Sequence, residues 1–226
     1  RIRLFEIDLR FEGDKQSLQQ TKTLAAVCSG GYLAENWANP ARAVDFYDLK
    51  ADIFELFKLA HNAVELEFRP AKIMCMHPGQ SVEIYLGADK IGVLGALHPA
   101  IAQKLGLESK TFMFELNYLA ISNGKLATFN AISKYPAVRR DLALLVDRNL
   151  PAAKLENVIK KEAGILLTEV VIFDVYQGKG IADDKKSVGL GLTLQDTERT
   201  LTEAEVNGIF DNVIAALKRE FNAVLR

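Results

Sequence analysis

Ser133-Lys134-Tyr135-Pro136-Ala137-Val138-Arg139-Arg140-Asp141 runs without interruption into Leu142-Ala143-Leu144-Leu145-Val146. Proline fixes its own φ and holds the residue before it extended, so Tyr135-Pro136 reads as a stiffened approach to a strand. Leu142, Leu144 and Val146 then take one face of that strand. Two arginines and an aspartate stand at its start. Adjacent strand residues point to opposite faces, so Arg139 and Arg140 cannot share a surface.

The elements downstream follow in a clear order. Pro151 starts a helix with Leu155, Val158, Ile159 and Ala163 on one side, and Gly164 ends it. Val170 to Phe173 centre a second strand that reaches Tyr176, and Gln177 to Asp184 form a glycine-containing loop. In the third strand Val188, Leu190, Leu192 and Leu194 share one face. Ser187, Gly189, Gly191, Thr193 and Gln195 share the other, so the sheet is covered on one side and open on the other. Thr202 and Glu205 form a capping box, with Leu201 and Val206 as a hydrophobic staple. Val206, Ile209, Phe210, Val213, Ile214, Leu217 and Phe221 then make an apolar stripe. Ala223-Val224-Leu225 adds a short last strand. Strand, helix, strand, strand, helix, strand is a ferredoxin-like βαββαβ order.

Several RNA-binding modules of this topology lay bases on the open sheet face. Basic groups near the strand ends are Lys134, Arg139, Arg140, Lys179, Lys185, Lys186 and Arg199; a solvated charged rim is the plainer reading of any single lysine. The adjacent arginines suggest a division of labour. One reaches phosphate, and the other is tied internally by an acid, Asp141 or Glu198. Tyr135, Phe173 and Tyr176 are the aromatic stacking candidates. Phe173 and Tyr176 lie at odd separation, so alternation places at most one on the open face and the other in the core.

Upstream, Arg3, Phe5, Ile7, Leu9 and Phe11 alternate with Leu4, Glu6, Asp8 and Arg10, the pattern of a half-buried strand. A second strand is expected over Lys22 to Ser29. Asp45 to His61 reads as a helix with Asp45 as N-cap and Asp48 three residues on. Val64 to Phe68 (ending at Pro70), Lys72 to Met76, Val82 to Leu86 and Ile91 to Leu97 follow, the last pair joined by the turn Gly87 to Lys90. Pro99 opens a short helix through Leu105, and Phe112, Phe114, Leu116 and Tyr118 close the region as a strand. Many antiparallel strands with few helices indicate an α+β domain. Residues 1–122 and 132–226 thus form two domains joined by a polar linker at 123–131.

Composition bounds the possibilities. A net charge of -1 gives no global attraction to nucleic acid, so any such binding needs a local patch. No apolar run approaches the roughly 20 residues of a membrane helix. Cys28 and Cys75 lack metal-like spacing and read as reduced, buried thiols. His77 and His98 each precede a proline and read as turn residues; with His61 they form no metal or triad signature. Gly92, Gly95, Gly189 and Gly191 sit inside strand patterns, where glycine marks close packing and not a phosphate cradle. The chain opens at Arg1 with a strand already under way, as expected of a piece of a longer polypeptide.

Ser133 to Asp141, Phe173-Asp174-Val175-Tyr176-Gln177-Gly178, Lys185-Lys186-Ser187, Gln195 to Thr202 and Phe221 to Arg226 resemble the ferredoxin-fold anticodon-binding domain that ends the bacterial phenylalanyl-tRNA synthetase β subunit family. Leu4-Phe5-Glu6-Ile7, Asp45 to Lys50, His77-Pro78-Gly79 and Gly95 to Pro99 are similar to the antiparallel class II synthetase-like module of that family. The resemblance implies a cytoplasmic phenylalanine–tRNA ligase subunit that pairs with a catalytic α subunit in an (αβ)2 assembly and binds tRNA(Phe), with no DNA or membrane partner. It places RNA contacts at Lys134, Tyr135, Arg139, Arg140, Tyr176, Lys185, Lys186 and Arg199. Catalytic modules of the family carry Phe-Ala-Phe-Gly-x-Gly-x-Glu-Arg, whereas Phe112 to Ala120 puts Glu115 and Asn117 at the glycines and Ala120 at the arginine. Adenylation is therefore not expected here, and no catalytic, cofactor or metal residue is assigned. ATP and Mg2+ are implied for other modules of the enzyme. A ferredoxin-like module that binds protein or a small ligand instead of RNA is the competing reading.

Overall fold

The computed structural model describes every residue except 15, 61–64, 125, 127, 128 and 130. His61 and Val64 therefore lie outside the described residues. The chain divides into two compact units, Arg1–Thr128 and Phe129–Arg226. The division falls within residues 123–131.

The first unit contains β1 (Ile2–Glu12), β2 (Gln19–Ser29), α1 (Phe46–Leu59), β3 (Leu66–Pro70), β4 (Met76–Leu86), β5 (Asp89–Leu97), α2 (Pro99–Lys104), β6 (Thr111–Asn117) and α3 (Tyr118–Ser122). Its strands form one antiparallel sheet in the order β1-β2-β6-β5-β4-β3. Helix α1 packs against β5 and β6, burying Leu49, Ile53 and Phe57 against Leu94, Phe112, Phe114 and Leu116. Gly92 is obligatory in this sheet. A β-carbon there would collide with the carbonyl oxygen of Glu115 in β6, a contact that ladder pairing leaves no room to relax.

A polar knot fixes where α1 starts. The Asp45 carboxylate accepts from the N–H groups of Tyr47 (2.8 Å) and Asp48 (3.1 Å), and Asp48 accepts in return from Asp45 N–H at 2.8 Å. Arg42 donates two hydrogen bonds to the buried Asp48 carboxylate, at 2.6 and 2.7 Å, and its guanidinium lies 3.9 Å from the Tyr32 ring centre. These donors hold the Asp48 carboxyl below the usual range despite its burial.

The second unit contains β7 (Val138–Asp147), α4 (Ala152–Ala163), a 3-10 turn at Gly164–Leu166, β8 (Leu167–Tyr176), β9 (Lys185–Leu194), α5 (Glu203–Phe221) and β10 (Val224–Leu225). The sheet order β10-β7-β9-β8, antiparallel throughout, is the ferredoxin-like arrangement expected from the element order. Helices α4 and α5 cover one face. Leu142, Leu144, Val146, Val188, Leu190, Leu192 and Leu194 meet Leu155, Ile159, Val213 and Leu217 there. The capping box at Thr202 and Glu205 is present, and Leu201 and Val206 join the same core. Asn222 ends α5 in the left-handed region, at φ 51°.

Five local expectations change. Strand β1 is exposed along both faces, Phe5 to 76%, because nothing among the described residues lies over its apolar side. Tyr118 starts α3, where the Asn117 side chain caps Leu119 N–H at 3.0 Å; a helix this short leaves no periodic signal. Residues 72–75 form no strand, and pairing resumes at Met76. His77 sits inside β4 at a break in register between Met76 and Ser81, its Nδ1 accepting from Gly79 N–H. Cys75 is exposed, and only Cys28 is buried.

Because Arg42 and the Asp45 amide both depend on one buried carboxylate, Asp48→Ala is expected to destabilise the first unit by roughly 1–3 kcal/mol. Denaturant unfolding monitored by hydrogen exchange in α1 is the measurement; protection unchanged from the parent would contradict it.

Candidate nucleic-acid interface

The helix-free face of the second sheet is set by register. Arg139, Asp141, Ala143 and Leu145 of β7 stand opposite Thr193, Gly191, Gly189 and Ser187 of β9. Residues directly paired across a ladder point the same way, so these eight share the open face. On β8, Val171 pairs with Gly191 and Tyr176 with Ser187.

Between Ile172 and Asp174 the β8 register shifts by one residue. This bulge breaks the alternation on which the separation of Phe173 and Tyr176 was judged. Phe173 lies over Gly189, where an added β-carbon would stand 2.8 Å from its ring. Tyr176, opposite Ser187, comes to the same side. Both aromatics therefore occupy the open face. Neither belongs to the core, which corrects the sequence-based expectation.

Each ring has an arginine beside it. The Arg139 guanidinium covers Gly191, where a β-carbon would lie 2.6 Å from Nη2, and its Cζ is 5.9 Å from the Phe173 ring centre. Arg139 Nε donates to Asp141 Oδ1 at 3.1 Å. The Arg226 backbone N–H donates to Ala143 O at 2.9 Å, and its Cζ lies 5.8 Å from the Tyr176 ring. Separations near 6 Å are within reach of cation–π attraction. Tyr176 Oη donates to Lys179 O at 3.3 Å, which fixes the ring. Asp141 and Asp174 place carboxylates beside the same glycines. The face is thus two aromatic platforms with local cations rather than a uniform basic patch.

The remaining sequence candidates scatter. Arg140 is on the helix side, opposite Leu192, and pairs with Glu203 of α5 at 3.3 Å. The acids that tie the two arginines are therefore Asp141 and Glu203, and Glu198 takes no part. Lys186 also points to the helix side, donating to Leu150 O at 2.6 Å, with burial pushing its ammonium pKa down. Lys185 ends the open face, bonded to Asp147 at 2.8 Å. Arg199 makes a two-bond pair with Glu205, at 2.6 and 2.9 Å. Lys134 is exposed and Tyr135 half-buried. Their segment is pinned to the end of β9, where Gln195 Nε2 donates to Tyr135 O (2.7 Å) and Ser133 Oγ to Asp196 O (2.8 Å).

Of the eight candidates, Arg139 and Tyr176 meet on the face and Lys185 at its rim. Phe173 and Arg226 were absent from that set. The glycine opposite Phe173 was a usable signal; for Arg226, whose side chain crosses the sheet from β10, sequence offered none. Among the described residues no cluster of metal-ligating side chains occurs, and no helix is long and apolar enough to cross a membrane.

Residues 133–226 match the family model for a ferredoxin-fold anticodon binding domain, and residues 1–118 that for the phenylalanyl tRNA synthetase beta chain CLM domain. The whole chain is similar to the phenylalanine–tRNA ligase beta subunits of Pseudomonas fluorescens (42% identity), Haemophilus influenzae (43%) and Methylococcus capsulatus (44%). It spans 28–29% of the length of those proteins.

Glu205, at the start of α5, ties the stability of the second unit to pH. Arg199 and the Thr202 cap bond its carboxylate and hold its pKa down to about 2, against an ordinary 4.5. A depressed carboxylate pKa contributes stability that is complete above the unfolded value and is lost as pH falls through the folded one. The second unit is therefore expected to weaken between pH 4.5 and about 2. Glu205→Gln should lower its denaturant midpoint at neutral pH and flatten that slope. Equal slopes in parent and variant would contradict the assignment.

Proposed function

The chain belongs to the phenylalanyl-tRNA synthetase beta chain family, and on that premise we propose that it is the part of a cytoplasmic phenylalanine–tRNA ligase that holds the anticodon region of tRNA(Phe) and braces the catalytic α subunit within an (αβ)2 assembly. The observation that carries the RNA role is the open sheet face with its two ring–arginine pairs, Phe173 with Arg139 and Tyr176 with Arg226. Unstacked bases need flat π surfaces with a cation in reach of phosphate, and the glycines beneath let the ring and the guanidinium lie low on the sheet as a platform. Lys134, Tyr135 and Lys185 flank this face. Arg140, Lys186 and Arg199 are better read as holding the helices and the cap in place.

The bracing role rests on what the first unit does with the positions where catalytic modules hold ATP. Glu115 is paired with Arg10 across the sheet, and Asn117 caps α3. Neither leaves the close backbone approach or the free cation that a triphosphate requires. The residues do not fit ATP or Mg2+, so adenylation belongs to other modules of the enzyme. ATP–pyrophosphate exchange by this chain without α should be undetectable.

Binding of tRNA(Phe) to the assembled enzyme across a salt series tests the RNA reading. Phe173→Ala is expected to weaken binding by about 1–3 kcal/mol, the usual worth of one stacked base. Arg139→Ala should weaken it and reduce the salt slope by about one, while Arg140→Ala leaves both unchanged. Parental affinity and slope in both Phe173→Ala and Arg139→Ala would overturn the proposal.

A further inference from the structure

Asparagine precedes glycine twice in the chain, at Asn123-Gly124 and at Asn207-Gly208. Such a pair is open to cyclisation, because glycine has no β-carbon to shield its own nitrogen. The two pairs are identical in sequence and differ only in where the fold puts them. We propose that Asn123 is a site of spontaneous deamidation in the native protein, and that Asn207 is not.

The reaction needs water alone. The main-chain nitrogen of Gly124 gives up its proton to solvent and attacks Cγ of Asn123. An N–Cγ bond forms and the Cγ–Nδ2 bond breaks. With the proton returned from solvent, ammonia leaves behind a five-membered imide. Water then opens the ring at either carbonyl. An aspartyl or isoaspartyl residue results, carrying one new carboxylate, with nothing oxidised or reduced.

That chemistry makes three demands: an exposed side-chain amide, a glycine nitrogen not committed to a hydrogen bond, and a backbone free to rotate. Asn123 meets all three. It is exposed, and its side chain bonds to nothing among the described residues. The Gly124 N–H likewise donates to nothing among them. Asn123 is the C-cap of α3, at φ -78° and ψ 45°, already outside the helical range. Its N–H reaches Leu119 O at 3.3 Å, an acceptor shared with Ser122 Oγ at 3.4 Å. A five-residue helix has little cooperativity with which to resist fraying.

Asn207 is equally exposed and fails the other two demands. It lies inside the 19-residue helix α5. Pairing four residues back commits the Gly208 N–H to Ala204 O. Rotation there requires opening a helix whose Val206, Phe210 and Val213 are buried in the core.

Packing also fixes glycine after Asn123. A β-carbon on Gly124 would collide with the carbonyl oxygen of Ala60, the C-cap of α1. At Gly208 a β-carbon would meet nothing within 4 Å. The residue that makes Asn123 reactive is therefore imposed by α1. The product acts on the same contact, since it sets a carboxylate beside the carbonyl end of α1, where the helix dipole disfavours negative charge.

The test is incubation of the assembled enzyme, full-length β with α, at neutral pH. Peptide mapping then separates asparaginyl, aspartyl and isoaspartyl forms at 123 and 207. Labelling of the isoaspartyl carboxylate by an isoaspartyl methyltransferase gives a second readout. Product is expected at 123 faster than at 207 by about tenfold or more, the cost of opening a buried helix. In denaturant the two positions should react at comparable rates. Comparable rates in the native enzyme, or an Asn123 that stays intact there, would overturn the proposal. A preference for 123 that persists undiminished in denaturant would overturn it too, by tracing the difference to sequence and not to fold. None of these outcomes depends on the RNA reading.

Discussion

Two missing β-carbons set the character of the second unit's open face. Gly189 and Gly191 lie in β9, between the strands that carry Phe173 and Arg139. Without side chains of their own, they let those two groups rest on the backbone. Any other residue would lift the ring and the guanidinium away from the sheet. The helix side holds this arrangement in register, since Leu190, Leu192 and Leu194 are fully buried. A slip of one residue would send those leucines to solvent, so the glycines cannot trade places with them. Packing on one face thus dictates chemistry on the other.

The first unit shows the same economy applied to a different end. Glu115 is engaged by Arg10, and Asn117 by the start of α3. Both are ordinary structural roles.

Features settled by near neighbours could be read from sequence. The Asp45 N-cap with Asp48 three positions on, and the capping box of Thr202 with Glu205, appear as expected, and the first proves to be a full capping box as well. The ferredoxin-like order was equally legible, because each strand and helix carries its own period. Features settled by a distant strand could not be read. The bulge at Phe173 arises in pairing with β9, so alternation along β8 alone gave the wrong face for one aromatic. Glu203 was missed as the partner of Arg140 because it lies 63 residues away, on a helix whose placement only the fold reveals. The exposure of β1 was invisible for the opposite reason. Its pattern describes a burial that the described residues do not supply.

The bulge in β8 also bears on how such chains diverge. An extra residue in a strand is usually a nuisance that alignment treats as a gap of no consequence. Here removing the extra residue would restore strict alternation while Val175 stayed opposite Val188 and Tyr176 opposite Ser187. The bulge is thus what lets a second aromatic join Tyr176 on the same side of one strand.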